Sequence, residues 1–182
     1  MRICRLEHNH EQELIEEIRK GAIFVYPTDT IYGIGCNALN RESVRRIREM
    51  KGATHPFSVI APSKKWIEEN LRMRHGNFLK KFPCGYTLIF EKRKGEFLKD
   101  CSPSKTLGVR IPKHEFAKLI QKAGVPFVTT SVNISGKRPI KKTSSIPKHF
   151  LKHIDFVIDD GVLDNPPSRI FDLTGEKPKK IR

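Results

Sequence analysis

The sequence predicts an α/β (α+β) fold built on a mixed parallel/antiparallel sheet flanked by helices. Three observations predict it. Runs rich in β-branched and aromatic residues alternate with segments whose apolar positions recur at helical spacing. Neighbouring strand-like runs such as YTLIFEK (86–92) and TLGVRIP (106–112) have no crossover helix between them, so a wholly parallel sheet is not expected. The 182 residues contain no repeat, low-complexity tract or Gly/Ser linker, so one domain spanning 1–182 with its own core is the simplest organisation.

In chain order, HNHEQELIEEIRKG (8–21) predicts a helix capped near His8 or Asn9, with Leu14, Ile15 and Ile18 on one face and Gly21 as its stop. AIFVY (22–26) is a strand ended by Pro27. The stretch after it, PTDTIYGIGCNA, reads as a polar loop in which Gly33 and Gly35 permit close approach. Asn40 caps a second helix, RESVRRIREMKG (41–52), with Val44, Ile47 and Met50 inward and Arg45, Arg46 and Arg48 outward. FSVIA (57–61) is a short buried strand. SKKWIEENLRMRHGNFLKKF (63–82) predicts one long helix or two short ones broken at Gly76. After the strand YTLIFEK comes a polar loop, then the strand TLGVRIP, the helix HEFAKLIQKAG (114–124) and the strand VPFVTTSV (125–132). TSSIPKHFLKHI (143–154) predicts a helix with a hydroxyl cap and proline in its first turn, and DFVIDDG (155–161) and SRIFDLTG (168–175) are strands.

Lys and Arg number 35 against 20 Asp and Glu, a formal net charge of +15, which points to an anionic partner such as nucleic acid without specifying chemistry. Cys4, Cys36, Cys84 and Cys101 are widely spaced and suggest neither a zinc knuckle nor a disulfide framework, so reduced thiols in a cytoplasmic protein are expected. No apolar run approaches the eighteen or so residues of a membrane span, and the charged N-terminus does not resemble an export signal.

Several familiar chemistries are excluded by spacing. SGKRP (135–139) lacks the remaining residues of a phosphate loop, and no GxGxxG, GxSxG or HExxH pattern occurs. His149 and His153 are four apart but lack nearby acids, so no metal is assigned to them. What remains is a set of strand-end loops with one theme. Arg110 ends one strand, and SVNISGKRP (131–139) follows another with Ser131, Asn133, Lys137 and Arg138. An arginine fork suits carboxylate or phosphate, and hydroxyls and glycine-exposed backbone NH groups suit phosphate or base.

Taken in order, PTDTIYGIGCNA, the Lys51 region, TLGVRIP, TTSVNISG and the closing SRIFDLTG…IR resemble the YrdC-like threonylcarbamoyl-AMP synthases, over about Gly21 to Arg182. The resemblance implies a twisted sheet around a basic concave cleft. It implies synthesis of threonylcarbamoyl-AMP and pyrophosphate from L-threonine, bicarbonate and ATP, for threonylcarbamoylation of the tRNA adenosine next to the anticodon. It assigns threonine contacts to Thr30, Tyr32, Arg110, Thr129 and Ser168. It assigns the ATP side to Lys51, Thr106, Ser131, Asn133 and Arg182, with Lys51 offsetting phosphoryl charge. Mg²⁺ would arrive on ATP, and tRNA or double-stranded RNA and a downstream threonylcarbamoyl-transferase complex would be partners. The short, single-domain form is expected.

The chain departs from the family at KGATHPFSV (51–59), where Ala53 replaces the arginine of a K-x-R motif and His55 precedes Pro56. His55, with an ordinary pKa of about 6.5, supplies partial charge at best. An arginine of RRIRE or a basic residue of KRPIKK (137–142) is another candidate. PCGYT (83–87) alters a PGPxT turn. Two alternatives stay open: an RNA-binding protein on the same fold without catalysis, and a related carbamoyl-transfer module.

Overall fold

A computed structural model describes residues 1–6 and 10–182. Among the described residues, ten strands form a mixed sheet in the order β1-β8-β2-β3-β7-β4-β6-β5-β9-β10. They are β1 (Arg2–Cys4), β2 (Phe24–Tyr26), β3 (Gly33–Gly35), β4 (Ser58–Ile60), β5 (Tyr86–Glu91), β6 (Thr106–Arg110), β7 (Phe127–Ser131), β8 (Phe156–Ile158), β9 (Arg169–Asp172) and β10 (Lys179–Lys180). The helices are α1 (Glu11–Lys20), α2 (Arg41–Lys51), α3 (Lys64–Asn70) and α4 (Glu115–Ala123).

Strand alternation sends neighbouring residues to opposite faces. Phe24, Tyr26, Ile60 and Phe127 pack with apolar residues of α1 and α4. Val25, Val59 and Val128 pack with Val44, Ile47 and Met50 of α2 and Ile67 of α3. The result is a sheet covered by helices on both sides.

The helix signals act through specific bonds. Asn40 Oδ1 accepts from the Ser43 N–H at 3.0 Å, and its Nδ2 donates to Lys20 O at 3.0 Å, so one side chain caps α2 and fastens it to the end of α1. Gly21 ends α1 at φ 97, and a Cβ there would meet Asn40 Nδ2 at 2.2 Å. The cap expected at His8 or Asn9 lies outside the described residues; α1 begins after His10.

Three expectations change. Residues 143–154 form two 3₁₀ turns, Thr143–Ser145 and Lys148–His153, rather than one helix. Pro147 holds Ile146 at ψ 128, because the residue before proline avoids the α region, and the helical pattern breaks there. Residues 63–82 take the expected two-piece form, α3 and a 3₁₀ turn at Gly76–Lys81, but Gly76 opens the second piece instead of separating the two. The GIG of the polar loop is a strand, β3, placed between β2 and β7.

That strand explains its glycines. A Cβ on Gly33 would lie 2.7 Å from the Tyr26 ring, and one on Gly35 would lie 1.7 Å from Val128 O. Their close approach serves the sheet's own packing, and Gly33 also lines a cleft at the strand ends. Antiparallel register then sets Gly33 beside Ser131 and Ser58 beside Thr129, while β4 and β6, running parallel, align Ile60 with Arg110.

Candidate active site

These strand ends border a cleft of about 360 Å³ whose lining includes Tyr32, His55, Arg110, Thr129, Ser131, Asn133, Ser168 and Arg182. Seven expected site residues, drawn from both halves of the chain, therefore meet in one place, together with His55 from the altered loop. Among the described residues, the lining also contains Lys137 and no aspartate or glutamate. Its charges and hydroxyls suit an anion.

The loop after β2 is folded around Thr28. Its hydroxyl accepts the Thr30 and Ile31 N–H groups at 3.1 and 3.2 Å and donates to Ile31 O at 2.7 Å, a local hydroxyl turn. Tyr32 is fully buried and presents its ring side to the cleft. Its hydroxyl donates to Gly161 O at 2.9 Å and accepts the Asp160 N–H at 2.9 Å, so the phenol braces the 159–161 loop. Burial pushes its pKa up to about 12.

Arg110 stands at the end of β6 and is 6% exposed. Its Nη2 donates to Asp29 Oδ1 at 2.7 Å and lies 3.3 Å from Thr30 Oγ1. Its buried Nε has no hydrogen-bond partner. An unsatisfied buried donor is unfavourable by about 1–3 kcal/mol, more when charged, so this guanidinium is held on one side and unsatisfied on the other. Asp29 thus orients the fork. Across the cleft, Thr87 Oγ1 and Ser168 Oγ are 2.9 Å apart, and Arg182 donates through Nε and Nη2 to Ser168 O at 3.1 and 3.0 Å. Burial, and then the charge of Arg110, lowers the pKa of Arg182.

Lys51 takes a different position from the one expected. It is 2% exposed and is absent from the cleft lining. Its ammonium donates to Ser131 O, Asn133 O and Asn133 Oδ1 at 2.5, 2.6 and 3.2 Å. An ammonium has three N–H groups, and all three are used on the loop after β7. Burial lowers its pKa to about 8. Asn133 in turn donates to Lys137 O, and Ser131 Oγ donates to Asn133 Oδ1. Lys51 therefore shapes the SVNISGK turn from behind.

Neither His55 nor Arg48 restores the missing charge. Burial, followed by the charges of Lys51 and Arg48, lowers the His55 pKa from its usual 6.5, which opposes a charge on the ring. Arg48, expected to face outward, folds back over the Phe57 ring at 4.3 Å. It donates to the carbonyls of Ala53, His55, Asp100 and Cys101 at 2.9–3.1 Å. It holds the altered loop in place and is not among the residues that line the cleft.

Two expected residues fall outside the main cleft. Thr30 lines a neighbouring depression with Asp29, Tyr86 and Asn165, and meets the cleft lining through its contacts with Thr28 and Arg110. Thr106 begins β6, roughly 13 Å from Arg110 at strand rise. Its hydroxyl lies 3.1 Å from Ser104 Oγ. Sequence reasoning also passed over Thr87 and Ser58, which line the cleft from ordinary strand positions that carry no motif.

The Sua5_yciO_yrdC family model, described as telomere recombination, matches residues 16–182. The chain is 32% identical over its whole length to a putative threonylcarbamoyl-AMP synthase of Methanocaldococcus jannaschii, covering 91% of that protein. It is 33% identical over 91% of its length to the threonylcarbamoyl-AMP synthase of Pyrococcus abyssi and spans about half, 51%, of that longer protein. Pyrococcus abyssi Sua5 complexed with L-threonine superposes with a TM-score of 0.86 at 29% identity, over 100% of this chain and 56% of that one. Escherichia coli YciO superposes with a TM-score of 0.84 at 25% identity, over 100% and 92%. The ordered motifs, the mixed sheet and these matches agree: the chain belongs to the Sua5/YciO/YrdC family.

Proposed function

We propose that this protein is an L-threonylcarbamoyladenylate synthase, a nucleotidyltransferase that makes threonylcarbamoyl-AMP and pyrophosphate from L-threonine, bicarbonate and ATP. The observation that carries the reading is Arg110, oriented by Asp29, in a cleft lined by further cations and by hydroxyls. A small carboxylate is the chemical complement of that site.

Arg110 takes the threonine carboxylate, with Asp29 and Thr30 fixing its orientation. Thr129, Ser168 and the Tyr32 ring bound the remainder of the amino acid. The neutral threonine amine forms the carbamate N–C bond, either with CO₂ as one amine proton passes to solvent, or with bicarbonate as a C–O bond breaks and water leaves. A carbamate oxygen then attacks the α-phosphorus, and the bond to the β-phosphate oxygen breaks to release pyrophosphate. No protein nucleophile is needed; positioning and charge compensation supply the catalysis. Arg182, Ser131 and Asn133 face the nucleotide, His55 contacts it as a neutral ring, and Lys51 acts through the loop it orders. The lining carboxylates needed for a protein-held Mg²⁺ are absent, so the cation fits as part of MgATP. Thr106 has no role in this arrangement unless the nucleotide extends along β6.

The product would serve tRNA modification next to the anticodon in the cytoplasm through a threonylcarbamoyl-transferase partner, with the +15 surface attracting RNA. Pyrophosphate release from ATP and bicarbonate, measured with and without L-threonine, tests the synthase reading. Threonine-dependent release is expected. No release, together with salt-sensitive RNA binding, would favour the non-catalytic RNA-binding reading, and release independent of threonine would favour a related carbamoyl-transfer module.

A further inference from the structure

We propose that the Lys137 ammonium replaces the missing family arginine at position 53 as the cation for the β- and γ-phosphates of the nucleotide. This rests on the synthase reading above.

The argument begins with elimination among the cations near the altered loop. Lys51 has all three donors engaged, Arg48 is spread over four carbonyls, and burial opposes a charge on His55. Arg182 is anchored on Ser168, and Arg110 on Asp29. Ala53 is 5% exposed and belongs to the core, so its position supplies nothing to the cleft. Lys137 is exposed and lines the cleft together with His55 and Pro56 of that same loop. No ion pair within the described residues engages its ammonium.

Its backbone, unlike its side chain, is fixed. Gly136 adopts φ 79, the left-handed conformation that favours glycine, and turns the chain so that the Lys137 N–H reaches Ile134 O at 2.9 Å. Asn133 Nδ2 donates to Lys137 O, and Asn133 is itself held by Lys51. The two lysines thus divide one task. The buried Lys51 sets the turn, and the turn presents the ammonium of Lys137 to the cleft. Because the links run through the Lys137 backbone, changing its side chain leaves the turn's hydrogen bonds in place.

Calorimetric titration of AMP and ATP into wild-type protein, Lys137→Gln, Lys137→Arg and the neighbouring control Arg138→Gln tests this without turnover. Arg138 removes the same charge from an exposed position outside the cleft lining. Lys137→Gln is expected to weaken ATP about tenfold, the equivalent of about 1.4 kcal/mol for one charge-assisted contact, while AMP changes less than about twofold. Lys137→Arg restores ATP affinity and Arg138→Gln leaves it unchanged. Equal losses for AMP and ATP, equal effects of the two glutamine variants, or unchanged ATP affinity in Lys137→Gln would overturn the assignment while leaving the synthase reading standing. Wild-type protein that binds no ATP would end both.

Discussion

Arg110 and Lys51 are both buried cations beside one cleft, yet they stand in opposite states. Arg110 is held by Asp29 at one nitrogen and has another with no partner. Lys51 is saturated by three oxygens of a single loop. The first lines the cleft with a donor unused, and the second is committed to its own chain and stands behind the lining. Buried charge near a site therefore does not by itself mark a residue as ligand-facing.

The largest effect should come from removing the fork. Arg110→Ala is expected to weaken L-threonine binding by about 2–5 kcal/mol, the range for truncating one side of a desolvated charge pair, as read by calorimetry. If threonine affinity survives, Arg110 is as structural as Lys51 and the contrast disappears.

Lys51→Met should act on the other side. Methionine fills similar space but leaves the Ser131 and Asn133 oxygens without their donor, a penalty of about 1–3 kcal/mol per unsatisfied group. Chemical denaturation should show the loss in stability, and ATP affinity should fall with the turn while threonine affinity holds. A variant as stable as wild type with normal ATP binding would show that the three bonds do not order the loop.

A pH series separates the two residues further. Lys51 has a folded pKa lowered to about 8 and an ordinary unfolded value near 10.4. Between these values the unfolded chain binds the extra proton, so this group's contribution to stability rises with pH from about 8 to 10. The neutral amine has only two N–H donors for three acceptors, so ATP affinity should fall over the same window. Wild-type and Lys51→Met curves should differ there in both respects; parallel curves would remove Lys51 as the titrating group.

Tyr32→Phe should have the smallest effect. The ring side remains in the cleft, and the lost hydroxyl releases Gly161 O and the Asp160 N–H. A stability loss of about 0.5–1.5 kcal/mol by thermal or chemical unfolding is expected, with threonine affinity nearly unchanged. A large loss of threonine binding would place the hydroxyl on substrate.

Much of the fold was legible because its signals are local. Asn40 as a cap, Gly21 and Gly124 as left-handed stops, and the alternation in YTLIFEK all act within a few residues. β3 was not legible, since GIG carries no β-branched pair and its glycines read as a turn; Tyr26 and the β7 backbone, distant in sequence, give them their meaning. Arg48 shows a second limit. Periodicity places its Cα on the outer side of α2, but the long side chain returns to carbonyls near 53–55 and 100–101. The site residues were named from ordered motifs, and the sheet register assembled most of them. Thr106 was left at the far end of its strand and Lys51 was turned away from the cleft, because a motif gives residue type and order but not the direction of a side chain.

The most direct measurement compares L-threonine with L-threoninol, which keeps the amine, the side-chain hydroxyl and both stereocentres but has a hydroxymethyl group in place of the carboxylate, by calorimetric titration of the wild-type protein. Threonine should bind and threoninol should bind at least about tenfold more weakly, because the Arg110 guanidinium loses its carboxylate partner. Equal binding of the two would contradict the claim that this cleft is built around a carboxylate.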